Sequence, residues 1–305
     1  MKFAALFPGQ NSQVIGMAQD FYTHSDAARA ILDQAEATLP GLLKIMFDGP
    51  EDELKLTANQ QPALVAAGVA AWAAWLEAGG PAPAVAAGHS LGEFTALCAS
   101  GALNFADALK LVRRRGELMQ EAVHEGGGAM AAVMKLEPEA IRAVLQGLNG
   151  TVEIANLNSP GQTVISGEET AVEQAAAALK EKGGRVIPLK VSAPFHCSLM
   201  QPAADRLAPL LEQTDFSEGS FPVLSNVTAR AHERAAIAAR LTEQVTSTVR
   251  WTESMELLAQ QGISSFVEFG SGKVLTGLVG RTVEGASAHA VTDMASLQAA
   301  LNEVN

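Results

Sequence analysis

The stretch that decides the fold is Gly88-His89-Ser90-Leu91-Gly92-Glu93. It follows an Ala/Val-rich run, residues 82–87, that predicts a buried strand, and it precedes residues 94–100, which predict the first turns of a helix. A serine between two glycines at such a junction is typical of a nucleophile elbow, whose sharp turn raises the hydroxyl above the sheet. Ser90 is therefore the candidate nucleophile. A plain Gly-Ser turn remains the alternative, because the short pattern also arises by chance.

Strand and helix patterns alternate around this stretch. Apolar residues recur at helical spacing over residues 17–39 and 61–76, between two segments that predict strands. This alternation predicts an α/β fold with a parallel sheet. Gln10 then lies at the carboxyl end of the first strand, where open α/β sheets bind their ligands. The strands predicted for this sheet cover residues 3–7, 82–87, 221–226 and 264–269, and residues 270–273 begin the last predicted helix.

A different pattern begins after Gly126-Gly127-Gly128. Its order, βαββαβ, is that of a ferredoxin-like unit inserted into the larger domain. We expect a large domain of residues 1–124 and 193–305 and a small subdomain of residues 125–192. The glycine run precedes a strand, so we interpret it as a hinge or linker and not as a phosphate cradle. The predicted strands of the insert cover residues 129–136, 151–157, 163–166 and 185–191, and its helices cover 138–148 and 169–182.

Composition narrows the class of protein. The 305 residues are 48% hydrophobic, and no apolar run approaches the ~18 residues of a membrane span. Residues 1–7 are too few for a signal peptide, so we expect a soluble, cytoplasmic protein. Cys98 and Cys197 have no metal spacing and predict free buried thiols.

The formal charge of −12 argues against a nucleic-acid binder. An anionic partner would have to dock on a local basic patch. Its possible members are Arg113, Arg114, Lys135, Arg185, Lys190 and Arg250, each of which is otherwise a solvated surface charge.

Arg115 lies in the middle of an apolar stripe on the helix predicted from Phe105 to about Val123. An arginine on such a face is costly unless an anion meets it. The pattern leaves two possibilities open. One is a structural ion pair with a protein carboxylate, and the other is a fork for the carboxylate of a substrate, which guanidinium geometry suits.

His196, in Pro194-Phe195-His196-Cys197, is the candidate base, with a hydrogen-bonded loop histidine as the alternative. His89 adjoins Ser90, but neighbouring side chains at an elbow diverge, so we expect His89 to support the turn. The other four histidines stand among polar or turn residues and are expected at the surface: His24, His124, His232 and His289.

Several motifs occur together and in a fixed order along the chain: residues 88–93, Arg115-Gly116, Asn156-Leu157-Asn158-Ser159-Pro160-Gly161-Gln162, Pro194-Phe195-His196-Cys197 and Gly272-Lys273-Val274-Leu275. In combination they resemble the malonyl-CoA:acyl carrier protein transacylase family. Phe7-Pro8-Gly9-Gln10 and residues 244–251 are similar to the same family, so the resemblance spans essentially the whole chain.

The resemblance implies a hydrolase-like α/β domain with an inserted ferredoxin-like subdomain, and a two-step acyl transfer in fatty acid synthesis. Ser90 attacks malonyl-CoA, His196 accepts the proton, and the malonyl ester on Ser90 passes to the phosphopantetheine thiol of holo acyl carrier protein. A serine hydroxyl needs such a base, so activity is expected to fall as His196 becomes protonated in the ordinary imidazole range. No metal and no cofactor beyond the CoA thioester is implied, and we expect a monomer.

The same resemblance assigns roles around Ser90. Backbone N–H groups of Gln10 and Leu91 form the oxyanion hole, and the main-chain carbonyl of Gln244 orients His196 in place of a triad acid. Arg115 binds the malonyl carboxylate.

Phe195 resembles the bulky residue that crowds an α-methyl group in malonyl-selective members of the family. One methyl group is worth only ~1–3 kcal/mol, so this selectivity is expected to be partial. Ser271 departs from the pattern, since proline is common at its position, which affects the rigidity of the loop more than the chemistry.

Three alternatives remain at this point. A free-standing acyltransferase of a polyketide pathway would share every motif. A serine thioesterase or esterase would share Ser90 and His196 but would not need Arg115. A non-catalytic scaffold that binds carrier protein would need neither Ser90 nor His196.

Overall fold

The computed structural model describes residues 2–123 and 127–304, and within these ranges the chain forms nine strands and fourteen α-helices. The strands are β1 (Phe3–Phe7), β2 (Val85–Gly88), β3 (Ala129–Met134), β4 (Val152–Ser159), β5 (Gln162–Gly167), β6 (Arg185–Pro188), β7 (Val223–Leu224), β8 (Ser265–Phe269) and β9 (Ser287–Val291). The helices are α1 (Gln19–His24), α2 (Asp26–Thr38), α3 (Leu42–Asp48), α4 (Glu51–Lys55), α5 (Thr57–Glu77), α6 (Gly92–Ser100), α7 (Phe105–Glu121), α8 (Pro138–Leu145), α9 (Glu169–Glu181), α10 (Gln201–Glu212), α11 (Ile237–Gln244), α12 (Trp251–Gln260), α13 (Val274–Thr282) and α14 (Met294–Val304).

Five strands form a parallel sheet in the order β7-β2-β1-β8-β9. Every residue of β1 is buried, and successive side chains enter two different apolar clusters, Phe3, Ala5 and Phe7 in one and Ala4 and Leu6 in the other. Apolar side chains on both faces are what a parallel sheet needs when helices cover each side. The predicted α/β fold is confirmed.

The long helix α5 supports the site from within the core. It is buried almost all round, and its Trp75 ring packs against Phe269 at the end of β8, with ring centroids 5.3 Å apart. A helix that is apolar on all sides belongs in a core. Its buried N-terminal part places Gln60 and Gln61 below the carboxyl edge of the sheet, close to the elbow.

The end of the chain differs from the prediction. The helix predicted after residues 270–273 is not the last one, because α13 is followed by β9 and α14. The strand β9, Ser-Ala-His-Ala-Val, is a half-exposed edge strand. Its polar residues interrupt the sequence, so it lacks the continuous apolar run by which the central strands are predicted. The strand predicted over residues 221–226 is also shorter, since only Val223–Leu224 pair.

The second sheet is antiparallel, with the order β4-β5-β3-β6. The helices α8 and α9 contribute to the apolar cluster of this subdomain, which includes Val133, Ile141, Ile165, Ala175 and Leu179. The βαββαβ order and this strand arrangement confirm the ferredoxin-like insert. His124, Glu125 and Gly126 lie outside the described residues, so the domain limits and the hinge interpretation of the glycine run stay predictions.

The small subdomain is joined to the large domain through β4. The N–H of Leu157 donates to the carbonyl of Val249, and the N–H of Val249 donates to the carbonyl of Ala155, each at 2.9 Å. Thr248 Oγ1 also donates to the carbonyl of Ile154 at 2.6 Å. These bonds hold the loop between α11 and α12, which begins just after Gln244.

Two further expectations bear on the chain as a whole. Cys98 and Cys197 are unbridged; Cys197 is buried as predicted, whereas Cys98 is half-buried. Among residues 2–123 and 127–304, no helix combines the length and hydropathy required to cross a bilayer.

Candidate active site

The elbow has the geometry that its glycines predict. Ser90 has φ of 51°, a left-handed conformation that places it at the tip of the turn between β2 and α6. A Cβ atom on Gly88 would lie 1.8 Å from the main-chain carbon of Gly92, and one on Gly92 would lie 2.0 Å from the carbonyl oxygen of Phe7. Only glycine fits at either position, so the turn packs tightly against β1.

Ser90, His196 and Gln244 form a hydrogen-bonded chain. Ser90 Oγ lies 2.7 Å from His196 Nε2, and His196 Nδ1 lies 2.9 Å from the main-chain oxygen of Gln244. Because a carbonyl oxygen only accepts, the imidazole carries its proton on Nδ1 and presents the Nε2 lone pair to the serine O–H. The structure thus brings together the predicted nucleophile, base and orienting carbonyl, without an acid.

The environment of His196 corrects the expected pH dependence. Burial, and next the positive charge of Arg115, lower the pKa of His196 to about 3, although the carbonyl of Gln244 acts in the opposite direction. The free imidazole therefore stays neutral across the range in which an ordinary histidine titrates. Protonation of His196 should therefore not lower the activity in that range, contrary to the expectation from sequence.

Arg115 lies directly beside the nucleophile and is 0% exposed. Its Nη2 donates to Ser90 Oγ at 3.1 Å and to Gln244 Oε1 at 3.0 Å, and its Nη1 donates to Gln61 Oε1 at 3.0 Å. Among the described residues its Nε has no partner, and the guanidinium lies over the ring of Phe94, with Cζ 5.6 Å from the centroid.

No carboxylate forms an ion pair with Arg115 among residues 2–123 and 127–304. Burial lowers the pKa of Arg115 to about 10 and the charge of Glu93 raises it, so the group is a cation at neutral pH. Arg115 therefore does not form the structural ion pair with a protein carboxylate that the sequence left possible. A buried cation whose contacts are neutral and whose Nε lacks a partner is suited to an anionic ligand.

The two predicted oxyanion donors flank Ser90. The N–H of Leu91 is at the N-terminus of α6, and Gln10 follows Gly9, whose added Cβ would lie 2.5 Å from the carbonyl oxygen of His89. In the described part of the chain neither N–H donates a hydrogen bond to another group. The side chain of Gln10 is held by Gln60, with Nε2 to Oε1 at 2.7 Å. Their role in binding an oxyanion stays a prediction.

A cleft of about 990 Å³ opens above Ser90. Large-domain residues line one side, among them Gln10, Ser90 and His196, and strands β3, β4 and β5 of the small subdomain line the other. Its volume is at the upper end of the range for small-molecule sites. Phe195 is buried on the wall beside the base, and its role in acyl selectivity stays a prediction. Ser271, the departure noted from sequence, is buried and donates to the carbonyl of Ser12 at 2.6 Å.

Of the six basic residues considered for docking, only Lys190 lines this cleft. Arg114 pairs with Glu117 on α7, Arg250 pairs with Glu253 from the position just before α12, and Arg113 donates to Asn59. Lys135 follows β3 and Arg185 begins β6, both outside the cleft lining, and a basic docking patch stays a prediction.

Sequence reasoning missed four polar residues that hold the site: Gln61, Glu93, Asn226 and the side chain of Gln244. Asn226 could have been found, because it is the last residue of the strand predicted over residues 221–226, at the carboxyl edge of the sheet. Gln61 stands directly before the apolar run of residues 62–76 in α5, which is also a usable signal.

Three histidines differ from the expectation. His289, expected at the surface, is half-buried on β9 and its Nε2 is buried. His232 is not at the surface: its side chain is 3% exposed and Nε2 lies 2.6 Å from Glu93 Oε1. His89 does more than support the turn, since Nε2 lies 2.8 Å from Asn158 Oδ1 and so joins the elbow to β4.

Comparison with known proteins places this geometry in context. The family model described as "Acyl transferase domain" matches residues 5–301. The malonyl CoA-acyl carrier protein transacylase of Salmonella typhimurium is 45% identical over 307 residues, covering 99% of each chain, and that of Bacillus subtilis is 45% identical over 98% of this chain and 96% of its own.

Solved structures give the same result. A malonyl-transacylase in complex with its type II polyketide synthase acyl carrier protein superimposes with a TM-score of 0.96 at 45% identity, over 99% of this chain and 100% of that one. An acyl carrier protein S-malonyltransferase from Vibrio cholerae superimposes with a TM-score of 0.95 at 45% identity, over 98% of this chain and 99% of its own.

Proposed function

The chain belongs to the acyl transferase domain family, and from this premise we propose that it transfers the malonyl group of malonyl-CoA to the phosphopantetheine thiol of acyl carrier protein, through an ester on Ser90. One observation carries the choice of acyl group. Arg115 is a buried cation 3.1 Å from the nucleophile with only neutral contacts, where the free carboxylate of a malonyl group would meet it. Relatives of about 45% identity over nearly the whole chain are named for this transfer.

In the first half-reaction His196 Nε2 accepts the proton of Ser90, and Oγ bonds to the thioester carbon of malonyl-CoA. The oxygen of the tetrahedral intermediate accepts from the N–H groups of Gln10 and Leu91, a kind of contact whose loss costs about 100- to 1,000-fold in rate. The intermediate then breaks its C–S bond, and the CoA sulfur takes the proton from His196. The carbonyl of Gln244 stabilises the imidazolium that exists between these steps.

In the second half-reaction the thiol of the carrier protein gives its proton to His196 and attacks the ester carbon. The same two amides hold the oxyanion, and Ser90 Oγ leaves with the proton from His196. The enzyme returns to its starting state, so no redox or metal chemistry enters the balance.

Arg115 also connects substrate binding to the strength of the base. Its positive charge is one of the causes that lower the pKa of His196. A malonyl carboxylate bound to Arg115 compensates that charge, so the pKa of His196 rises and the imidazole accepts the proton of Ser90 more readily. An acetyl group would leave the base weak.

Phe195 supplies the selectivity against branched acyl groups in this proposal. It stands on the cleft wall next to His196, and an α-methyl group on the bound malonyl would press against its ring. Such discrimination is limited to about 1–3 kcal/mol for one methyl group.

We further propose that the enzyme works as a monomer in the cytoplasm, supplies fatty acid synthesis, and needs no cofactor beyond the CoA thioester. In support, the nucleophile, base, orienting carbonyl, oxyanion donors and arginine all come from one chain.

The experiment that tests the transferase assignment follows malonyl-CoA consumption with and without holo carrier protein. We expect the malonyl group to appear on the phosphopantetheine arm, and little free malonate to form when the carrier is omitted or lacks its arm. If malonate were released without carrier as fast as transfer occurs with it, the chain would be a thioesterase. Undiminished transfer by Ser90→Ala would leave only a scaffold role.

A further inference from the structure

Glu93, the last residue of the elbow hexapeptide, is a buried carboxylate to which the proposed reaction gives no role. Its side chain is 0% exposed and lies in the first turn of α6, where a helix N-terminus favours negative charge. Oε1 accepts from His232 Nε2 at 2.6 Å, and Oε2 accepts from the N–H of Asn226 at 3.0 Å and from Gln244 Nε2 at 2.8 Å. Three donors therefore compensate a charge that burial would otherwise penalise.

The contact with Glu93 determines which way the amide of Gln244 faces. A carboxylate only accepts and a guanidinium only donates, so the NH₂ of Gln244 must face Glu93 and its oxygen must face Arg115. The same NH₂ donates to the carbonyl of Ser90 at 2.9 Å. The main-chain oxygen of Gln244 meanwhile accepts from His196. One residue thus touches the elbow, the base and the arginine.

The second donor to Glu93 holds the elbow from the other side. Asn226 Oδ1 accepts from the N–H of Ser90 at 2.6 Å, and its Nδ2 donates to the carbonyl of Gly88 at 2.7 Å. The main chain on both sides of His89 is therefore fixed by a residue whose own N–H is bound to Glu93.

Glu93 remains separated from the reacting groups. It forms no ion pair with Arg115, and the neutral amide of Gln244 lies between them. An acid in direct contact with the guanidinium would take the place of a substrate carboxylate, whereas an amide oxygen is a weaker partner that a carboxylate displaces.

We propose that Glu93 is a positioning residue for the acyl transfer: by accepting from Gln244 and Asn226, it fixes the two amides that orient His196, Arg115 and the main chain of Ser90. The inference rests on the proposed function for the reaction that it serves. The property of Glu93 that matters is the length of its side chain and its capacity to accept hydrogen bonds, more than its charge.

Three substitutions separate reach from charge. Glu93→Gln keeps the length, its oxygen can accept from Asn226 and Gln244, and its NH₂ can donate to His232 Nε2 after a tautomer change. Glu93→Asp keeps the charge but is one methylene shorter. Glu93→Ala removes both properties.

The readout is the rate at which a neutral sulfonyl fluoride modifies Ser90, which needs His196 but not Arg115. A misplacement of about 1 Å at a reacting group costs up to about 100-fold, so we expect Glu93→Ala and Glu93→Asp to react about 10- to 100-fold more slowly than the parent chain. Glu93→Gln should remain within about threefold of the parent, and single-turnover formation of the malonyl ester should follow the same order.

Glu268 is the matched control. It is also a buried carboxylate, 1% exposed, which accepts from the N–H groups of Leu275 and Thr276 at the start of α13 and contacts neither Gln244 nor Asn226. Glu268→Ala should lower the melting temperature without changing the reactivity of Ser90 in the folded fraction.

Wild-type reactivity of folded Glu93→Ala would overturn the proposal, as would Glu93→Asp reacting faster than Glu93→Gln. If Glu93→Ala does not fold, the order of the Asp and Gln variants carries the test. Because the sulfonyl fluoride is not an acyl-CoA, failure of the proposed function, seen as no malonyl ester on the parent chain, is a separate result.

Discussion

The rate of acylation by malonyl-CoA should be nearly independent of pH across the range in which an ordinary histidine titrates. An imidazole with a pKa of 6.5 is only about one tenth neutral at pH 5.5, so kcat/KM would fall about tenfold between pH 7.5 and 5.5. Burial and Arg115 instead lower the pKa of His196 to about 3. More than about 99% of the base is then neutral at pH 5.5, and kcat/KM should change by less than about 1.5-fold.

The assay is single-turnover release of CoA at several pH values between 5.5 and 8, with circular dichroism to show that the chain stays folded. Burial also lowers the pKa of His89, the other imidazole that acts on His196. In Arg115→Gln, assayed with acetyl-CoA, the pKa of His196 should rise but stay below its ordinary value, because burial, the larger cause, remains. Any fall in rate should therefore begin at a higher pH than in the parent chain. A tenfold fall for the parent chain, with a midpoint near the ordinary histidine value, would refute the reasoning.

Three other predictions follow from the same contacts. Arg115→Ala should lose about 2–4 kcal/mol of transition-state binding for malonyl-CoA, roughly 30- to 1,000-fold in kcat/KM. The use of acetyl-CoA relative to malonyl-CoA should rise. An unchanged preference in a competition assay would refute the assignment of Arg115 to the malonyl carboxylate. Phe195→Ala should raise the relative use of methylmalonyl-CoA by about tenfold, and equal discrimination by both chains would exclude Phe195 as its cause. Because unfolded His196 binds a proton near pH 6.5 and folded His196 only near pH 3, the free energy of unfolding should fall as pH decreases through that window, by up to about 1.4 kcal/mol per unit. Urea titrations at several pH values give the free energy of unfolding of each chain. This free energy should change less with pH in His196→Gln than in the parent, and the same pH dependence in both chains would contradict the burial of a neutral imidazole.

Local signals in the sequence are strong enough to predict the elbow and the architecture. Glycines at 88 and 92 are required by contacts to the adjoining turn and to β1. A Gly-x-Ser-x-Gly pattern after an apolar strand therefore predicts both the turn and its place in a parallel sheet. The ferredoxin-like insert is likewise predictable, because its strand and helix order is continuous along the chain.

The polar network around Glu93 is not predictable in this way. Glu93 meets Asn226 and Gln244 across 133 and 151 residues of chain, and no periodicity connects them. His232 stands among polar neighbours in sequence, which favours a surface position, yet its partner Glu93 is fully buried. Burial of a polar group depends on a partner that only the tertiary structure supplies.

The depressed pKa of His196 has the same origin. The sequence indicates a histidine and an arginine on separate segments, but the shift comes first from the burial of His196 and then from the nearby charge of Arg115, and only the tertiary structure provides both. The pH dependence of the reaction therefore follows from the structure and not from the residue type.

The central claim is that Ser90 carries the malonyl group between the two thiols. The most direct measurement is intact-mass analysis of the chain after mixing with malonyl-CoA, followed by addition of holo carrier protein. We predict a mass increase of one malonyl group, located on Ser90 by peptide mapping, which disappears as the carrier gains the same mass. No such adduct, an adduct that persists in Ser90→Ala, or an adduct lost to water equally fast without the carrier would contradict the account.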